Sequence, residues 1–147
     1  MFKHILLPTD GSPVSDKAVK RGIEFAKKIG ARVTALHVVS AFRFMADEGV
    51  MVLNPTLRKR FEDEGKARGK EILDAVAKRA RAKGVRCATV CVSGDQAFHE
   101  IVATARRSKC DLIMMASHGR RGVSALVLGS ETQKVLAHSS IPVLVVR

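Results

Sequence analysis

The sequence predicts an α/β fold: an open, doubly wound sheet of five parallel strands with helices on both faces. Three observations carry this. Five short apolar runs recur along the 147 residues, each closed by turn chemistry. Between most of them lie stretches with the period of a helix that has one apolar face. The runs themselves are apolar on both faces, which suits a sheet covered on both sides. The order of the strands is left open.

The first run, Phe2 to Leu7, meets Pro8-Thr9-Asp10-Gly11 and reads as a buried strand. Ser12 supplies an N-cap oxygen, and Pro13 a first helical residue that needs no amide donor. The helix they open turns Ala18, Gly22, Phe25, Ala26 and Ile29 to the core, and Gly30 stops it. Arg32 to Val39 is the second strand, rich in β-branched residues. Ser40 to Asn54 shows no period. It holds Phe42, Phe44, Met45, Met51 and Leu53, so it reads as a mobile loop that packs loosely or orders on ligand or partner binding. Asn54-Pro55 opens a helix that runs to about Lys83, before Gly84, with Gly65 and Gly69 making its early part weakest.

Val85 to Val92 is the third strand. Ser93-Gly94-Asp95 turns into a helix with Phe98, Ile101, Val102 and Ala105 on one face. Asp111 to Ala116 is the fourth strand. A glycine-rich stretch leads to a helix from Ser130 to about His138, whose Ser130 and Gln133 fit a capping box. Ile141 to Val146 is the fifth strand. No repeat or linker divides the chain, so residues 1–147 read as one domain.

Bulk composition narrows the function classes. Apolar residues make up 46% and charged residues 27%, the balance of a globular chain. No run approaches the roughly 20 apolar residues of a membrane span. The N-terminus turns polar too early for a secretory signal, so the cytoplasm is the expected location. Three cysteines, Cys87, Cys91 and Cys110, lack framework spacing and read as small buried thiols. The net charge of +12, from 26 Lys+Arg against 14 Asp+Glu, favours anionic partners. Nucleic acid is disfavoured among them: Arg58-Lys59-Arg60 and Lys78 to Arg81 read as solvated helix faces, and with no Trp or Tyr a base-stacking platform is poorly supplied.

In open α/β sheets ligands bind beyond the carboxyl ends of the strands, where the winding reverses. Two such ends stand out. Pro8-Thr9-Asp10-Gly11-Ser12 follows the first strand, and Ser117-His118-Gly119-Arg120-Arg121-Gly122 follows the fourth. The second stretch runs on to Leu128-Gly129-Ser130-Glu131-Thr132, where a helix N-terminus offers amides and a positive dipole end to phosphate. Gly129 would let a phosphate approach the backbone, Ser130 and Thr132 would add hydroxyl donors, and Gly119 and Gly122 would allow a positive-φ path around an anion. This is neither a Walker loop nor a dinucleotide fingerprint, since Gly-Lys-Ser/Thr is absent and the glycines do not follow the first strand.

The stretch from Asp111 to Arg147 closely resembles the C-terminal part of universal stress proteins. Their nucleotide-binding members carry a glycine, two residues, a glycine, nine residues, a glycine and a small hydroxyl residue. Ala116, Gly119, Gly129 and Ser130 stand at those positions here, with the spacing kept. Ile5 to Ser12 and the strand end His37-Val38-Val39 are also similar to that family. The resemblance implies a Rossmann-like, adenine-nucleotide-hydrolase-like fold and an ATP-binding regulatory or stress-response protein, with Mg²⁺ or Mn²⁺ accompanying the triphosphate. It implies that Pro8, Thr9 and Asp10 line the adenosine side and Val38 touches adenine. Met115, Ala116, His118 and Gly119 would flank the ribose and phosphates, and Gly129, Ser130, Glu131 and Thr132 would hold the phosphates. Arg120 and Arg121 are added from charge alone as clamps on the triphosphate. Ala116 departs from the pattern. At positive φ it would cost about 1 kcal/mol and weaken binding about fivefold to tenfold.

Other chemistries fit less well. A hydrolase built on Ser124 or Ser130 with His118 and Asp10 lacks the second glycine of a nucleophile elbow. The five histidines have no zinc spacing: His4 and His138 read as surface residues, His37 as a satisfied structural residue and His99 as exposed. No residue stands out to orient an attacking group for phosphoryl transfer, so no enzyme is expected. The apolar run Ile141 to Val146, if it forms a sheet edge, would pair with its own copy in a homodimer, as the resemblance also implies. The alternative to a nucleotide binder is a nucleotide-independent interaction module of the same fold.

Overall fold

A computed structural model describes residues 1–40, 55–118 and 128–147. Among the described residues five strands and four helices alternate: β1 (His4–Pro8), α1 (Pro13–Ile29), β2 (Arg32–Val39), α2 (Pro55–Ala82), β3 (Cys87–Ser93), α3 (Ala97–Arg107), β4 (Leu112–Ala116), α4 (Ser130–His138) and β5 (Val143–Val146). All strand pairs are parallel, in the order β3-β2-β1-β4-β5. The expected class holds, and the structure adds the order that the sequence left open. The expected loop from Ser40 to Asn54 falls on 41–54, outside the described residues.

Central strands are buried on both faces, as their unbroken apolar runs require. Ile5, Leu6, Leu7 and Ile113 are fully buried. Odd-numbered β1 residues and the even-numbered residues of β4 meet α1 and α2 through Ala18, Ile23, Leu73 and Val76. Leu6, Leu36, Ile113 and Met115 face the other way, onto Ile101, Ala105 and Val135 of α3 and α4. Each such side chain contributes about 1.5–3 kcal/mol by leaving water. Glycines tighten the first layer. An added Cβ at Gly69 would stand 2.7 Å from His37 Cδ2 and 2.8 Å from Cys91 Sγ, and one at Gly65 would meet Val39 Cγ1. Both glycines therefore set the close approach of α2 to the sheet.

The helix ends follow their sequence signals at α1. Ser12 Oγ accepts the Ser15 amide at 3.2 Å, and Gly30 closes the helix at φ 70°. At α4 the capping box does not form. Gly129 is the N-cap, Ser130 is already inside the helix, and the Gln133 amide group donates to the Leu128 carbonyl at 2.8 Å.

Two other readings are corrected. His4 is buried, not on the surface, because it sits on β1 in the middle of the sheet, where its ring reaches Thr34 Oγ1 at 2.8 Å. Of the three thiols only Cys110 is buried. Cys91 is exposed and Cys87 half-buried, because β3 is an edge strand. Burial pushes the Cys110 thiol up to about 11.

Candidate functional site

The winding reverses between β1 and β4: β1 leads to β2 on one side, while β3 connects across to β4 on the other. Their carboxyl ends leave a cavity of about 500 Å³, a size that suits a small ligand. Its walls differ in character. Leu36 and Val38 of β2, Ile101 of α3 and Met115 of β4 make one side apolar. Thr9, Asp10, His118 and Ser130 make the other polar.

Eleven of the predicted site residues line this cavity: Pro8, Thr9, Asp10, Val38, Met115, Ala116, His118, Gly129, Ser130, Glu131 and Thr132. Gly119 and Arg120, with Arg121, Gly122 and Ser124, lie outside the described residues. Sequence alone does not place Leu36, His37 and Ile101 in the site, nor the α2 contribution of Phe61, Glu64, Gly65 and Arg68. Gly65 and Gly69 were the available signal. They were read as helix weakness, whereas they mark the face of α2 that lies against the sheet.

The turn after β1 is held by its own side chains. Asp10 Oδ1 accepts the Ser12 amide at 2.9 Å, and Thr9 Oγ1 accepts the Gly11 amide at 3.2 Å. Gly11 has φ 76°, the left-handed region that glycine enters without cost. The Thr9 carbonyl accepts from His37 Nδ1 at 2.9 Å, which places the ring proton on that nitrogen and joins the ends of β1 and β2. The expectation of a satisfied structural His37 holds, although the residue also lines the cavity.

The chain leaves β4 at Ser117 and is pinned again where α4 begins. The Gly129 amide donates to the Ser117 carbonyl at 2.8 Å, and Thr132 Oγ1 donates to the Ala116 carbonyl at 3.1 Å. These bonds revise two expected roles. The Gly129 amide and the Thr132 hydroxyl proton are spent inside the protein. Gly129 has φ −59°, so its value lies in space: a Cβ there would stand 3.0 Å from His118 Cα and 3.3 Å from the Ser117 carbonyl oxygen. What remains toward the cavity is the exposed Ser130 and the opening turn of α4, whose amides have no carbonyl of their own helix to bond.

The Glu131 carboxylate also has structural partners. It accepts the Phe98 amide at 2.8 Å and lies 3.3 Å from Lys134 Nζ, so it closes the N-terminus of α3. Ala116 is an extended strand residue without positive φ, so the condition for a strain cost is not met.

Comparisons with known proteins agree with this architecture. The model described as "Universal stress protein family" matches residues 1–147. The chain is 38% identical over 149 residues to universal stress protein MJ0531 of Methanocaldococcus jannaschii, covering all of this chain and 83% of that one. The solved structure of hypothetical protein MJ0577 superposes with a TM-score of 0.84 at 29% identity, covering 99% of this chain and 96% of that one. A universal stress protein solved in complex with cAMP shares the fold at a TM-score of 0.72 and 23% identity, over 99% of this chain and 97% of its own.

Proposed function

We propose that this chain, which belongs to the universal stress protein family, binds an adenine nucleotide, ATP with Mg²⁺ or Mn²⁺, at the carboxyl ends of β1 and β4. The observation that carries the reading is the two-sided cavity at the reversal of winding. Its apolar wall of Leu36, Val38, Ile101 and Met115 suits a base, and its polar wall opens onto a helix N-terminus suited to phosphate. A relative of the same fold was solved with an adenine nucleotide, cAMP. Among the described residues no three metal-ligating side chains gather, so the phosphate oxygens and water would coordinate the metal ion.

The role we read from this is regulatory and not enzymatic, in the cytoplasm and as a homodimer. No described helix is long and apolar enough to cross a membrane. β5 forms one edge of the sheet, with Leu144 exposed, and a second copy of the same strand would cover it. Thermal melts of nucleotide-free protein with and without millimolar MgATP test the binding. Ligand that binds only the folded chain raises the midpoint. An unchanged midpoint leaves the nucleotide-independent module as the reading.

A further inference from the structure

We infer that the end of the sheet opposite the cavity is a binding surface for the phosphodiester backbone of a double-stranded nucleic acid. In the spatial order of the strands, the residues entering β3, β2, β1 and β4 include Arg86, Arg32, Lys3 and Lys109, and all four are exposed. Backbone bonds hold Arg86, Arg32 and Lys3 level. The Val33 amide donates to the Arg86 carbonyl at 2.9 Å, and the Arg32 amide to the Lys3 carbonyl at 3.0 Å. Strands about 4.8 Å apart spread such a row over about 15 Å, enough to reach phosphates across a groove about 12 Å wide.

The same end receives the last turns of the four described helices, three of which carry Lys or Arg there, and the residue that follows α2. They add Lys27 and Lys28 from α1, Arg81 and Lys83 at α2, and Arg106 and Arg107 from α3, again all exposed. With the four strand-entry residues that makes ten of the chain's 26 Lys and Arg. Only Arg107 stands within 4 Å of a carboxylate, Glu100 at 3.9 Å, among the described residues. The one acid in these segments, Asp111, is taken up by the amides of Lys3 and His4 at 2.8 and 2.9 Å. Helix dipoles explain cations in last turns. They do not explain a second row at the strand entries.

Sequence alone disfavours nucleic acid on two grounds: basic runs such as Lys78 to Arg81 read as solvated helix faces, and stacking aromatics are few. Aromatics matter for single strands, whose bases need a platform. A duplex needs only cations placed against phosphates, and counterion release supplies the affinity. An acidic membrane is the weaker fit, because stable anchoring takes an inserted apolar group besides charge. Among the described residues the large exposed apolar side chains at this end are Met1 and, in the last turn of α4, Leu136, on separate elements.

Fluorescence anisotropy with labelled 24-base-pair DNA and RNA duplexes, from 50 to 200 mM salt, tests the surface. Five phosphate contacts predict a loss of about 500-fold over that range. The triple variant Arg32→Ser, Lys83→Ser, Arg86→Ser should reduce the slope of log K against log salt by about 2 to 3. A control triple on α2, Lys59→Ser, Lys66→Ser, Lys70→Ser, makes the same change in net charge at residues paired with Asp63, Glu62 and Asp74, and should leave the slope in place. The tighter duplex of the two identifies the source. The inference fails if neither duplex binds at 50 mM salt, if both triples weaken binding equally, or if acidic phosphatidylglycerol vesicles bind and duplexes do not. Displacement of the duplex by MgATP at matched ionic strength would also overturn it, by placing the anion in the cavity. Loss of ATP binding alone would leave it standing.

Discussion

The carboxylate of Glu131, in the first turn of α4, accepts the backbone amide of Phe98 in the first turn of α3 at 2.8 Å. One helix thus caps its neighbour, and Gln96 at the N-cap of α3 supplies no side-chain bond of its own. Ala97 and Ile101 of α3 and Ser130 and Thr132 of α4 line the same cavity. The contact fixes how two of its walls meet.

Removing that cap should cost stability. Glu131→Ala is expected to destabilise the fold by about 1 kcal/mol and lower the melting midpoint by about 2–4 °C. Glu131→Gln, which keeps an acceptor oxygen, should lose less. Melts of both variants by circular dichroism check this, and equal losses would show that the acceptor is not what matters.

Gly129→Ala should act through space and not through backbone strain. At φ −59° alanine is allowed, but its methyl meets His118 Cα at 3.0 Å and Cβ at 3.1 Å. The junction between β4 and α4 must shift, at about 1–3 kcal/mol. Urea unfolding should show a lower midpoint with an unchanged m-value. ATP affinity should fall as well, because Ser130 moves with the junction.

His4 predicts how stability depends on pH. Burial lowers its pKa below 6.5, and the Arg32 charge adds to this, outweighing nearby carbonyls and Asp111. Among the described residues its buried Nδ1 has no hydrogen-bond partner. Well above pH 6.5 the ring is neutral in both states and its titration contributes nothing to stability. As pH falls through 6.5 the unfolded chain takes up the proton first, so stability drops until the folded ring protonates too. Melts from pH 7.5 to 5 should therefore show a fall that His4→Gln reduces. An identical fall in the variant would assign the dependence to other groups.

The exposed edge predicts an assembly effect. Leu144→Glu places a charge on β5, where Leu144 is 42% exposed, and pairing with a second copy would bury it. Light scattering after gel filtration should report a dimer for the parent and a monomer for the variant, with each fold intact. A monomeric parent would remove the dimer from the account.

Much of the architecture was legible in the sequence because local chemistry and global packing agree. Ser12-Pro13 opens α1 and Gly30 closes it, as each does in isolation. The unbroken runs at β1 and β4 announce strands buried on both faces. The strand order was not legible, since periodicity says nothing of neighbours. The α2 wall was missed for a similar reason: Gly65 and Gly69 carry meaning only beside Val39, His37 and Cys91, which are distant in sequence. Residue types at α4 located the site but not the wiring. Whether Glu131 faces a ligand or a helix end depends on where α3 begins, and that is set by tertiary contact.

Amide NMR of labelled protein titrated with MgATP tests the central claim most directly. The account predicts saturable shifts centred on Thr9, Val38, Met115 and Ser130, the residues that bring β1, β2, β4 and α4 to one cavity. No shifts up to about 5 mM nucleotide, a concentration at which even a millimolar site is mostly filled, would contradict it. So would shifts centred on Arg32 and Arg86 at the far end of the sheet.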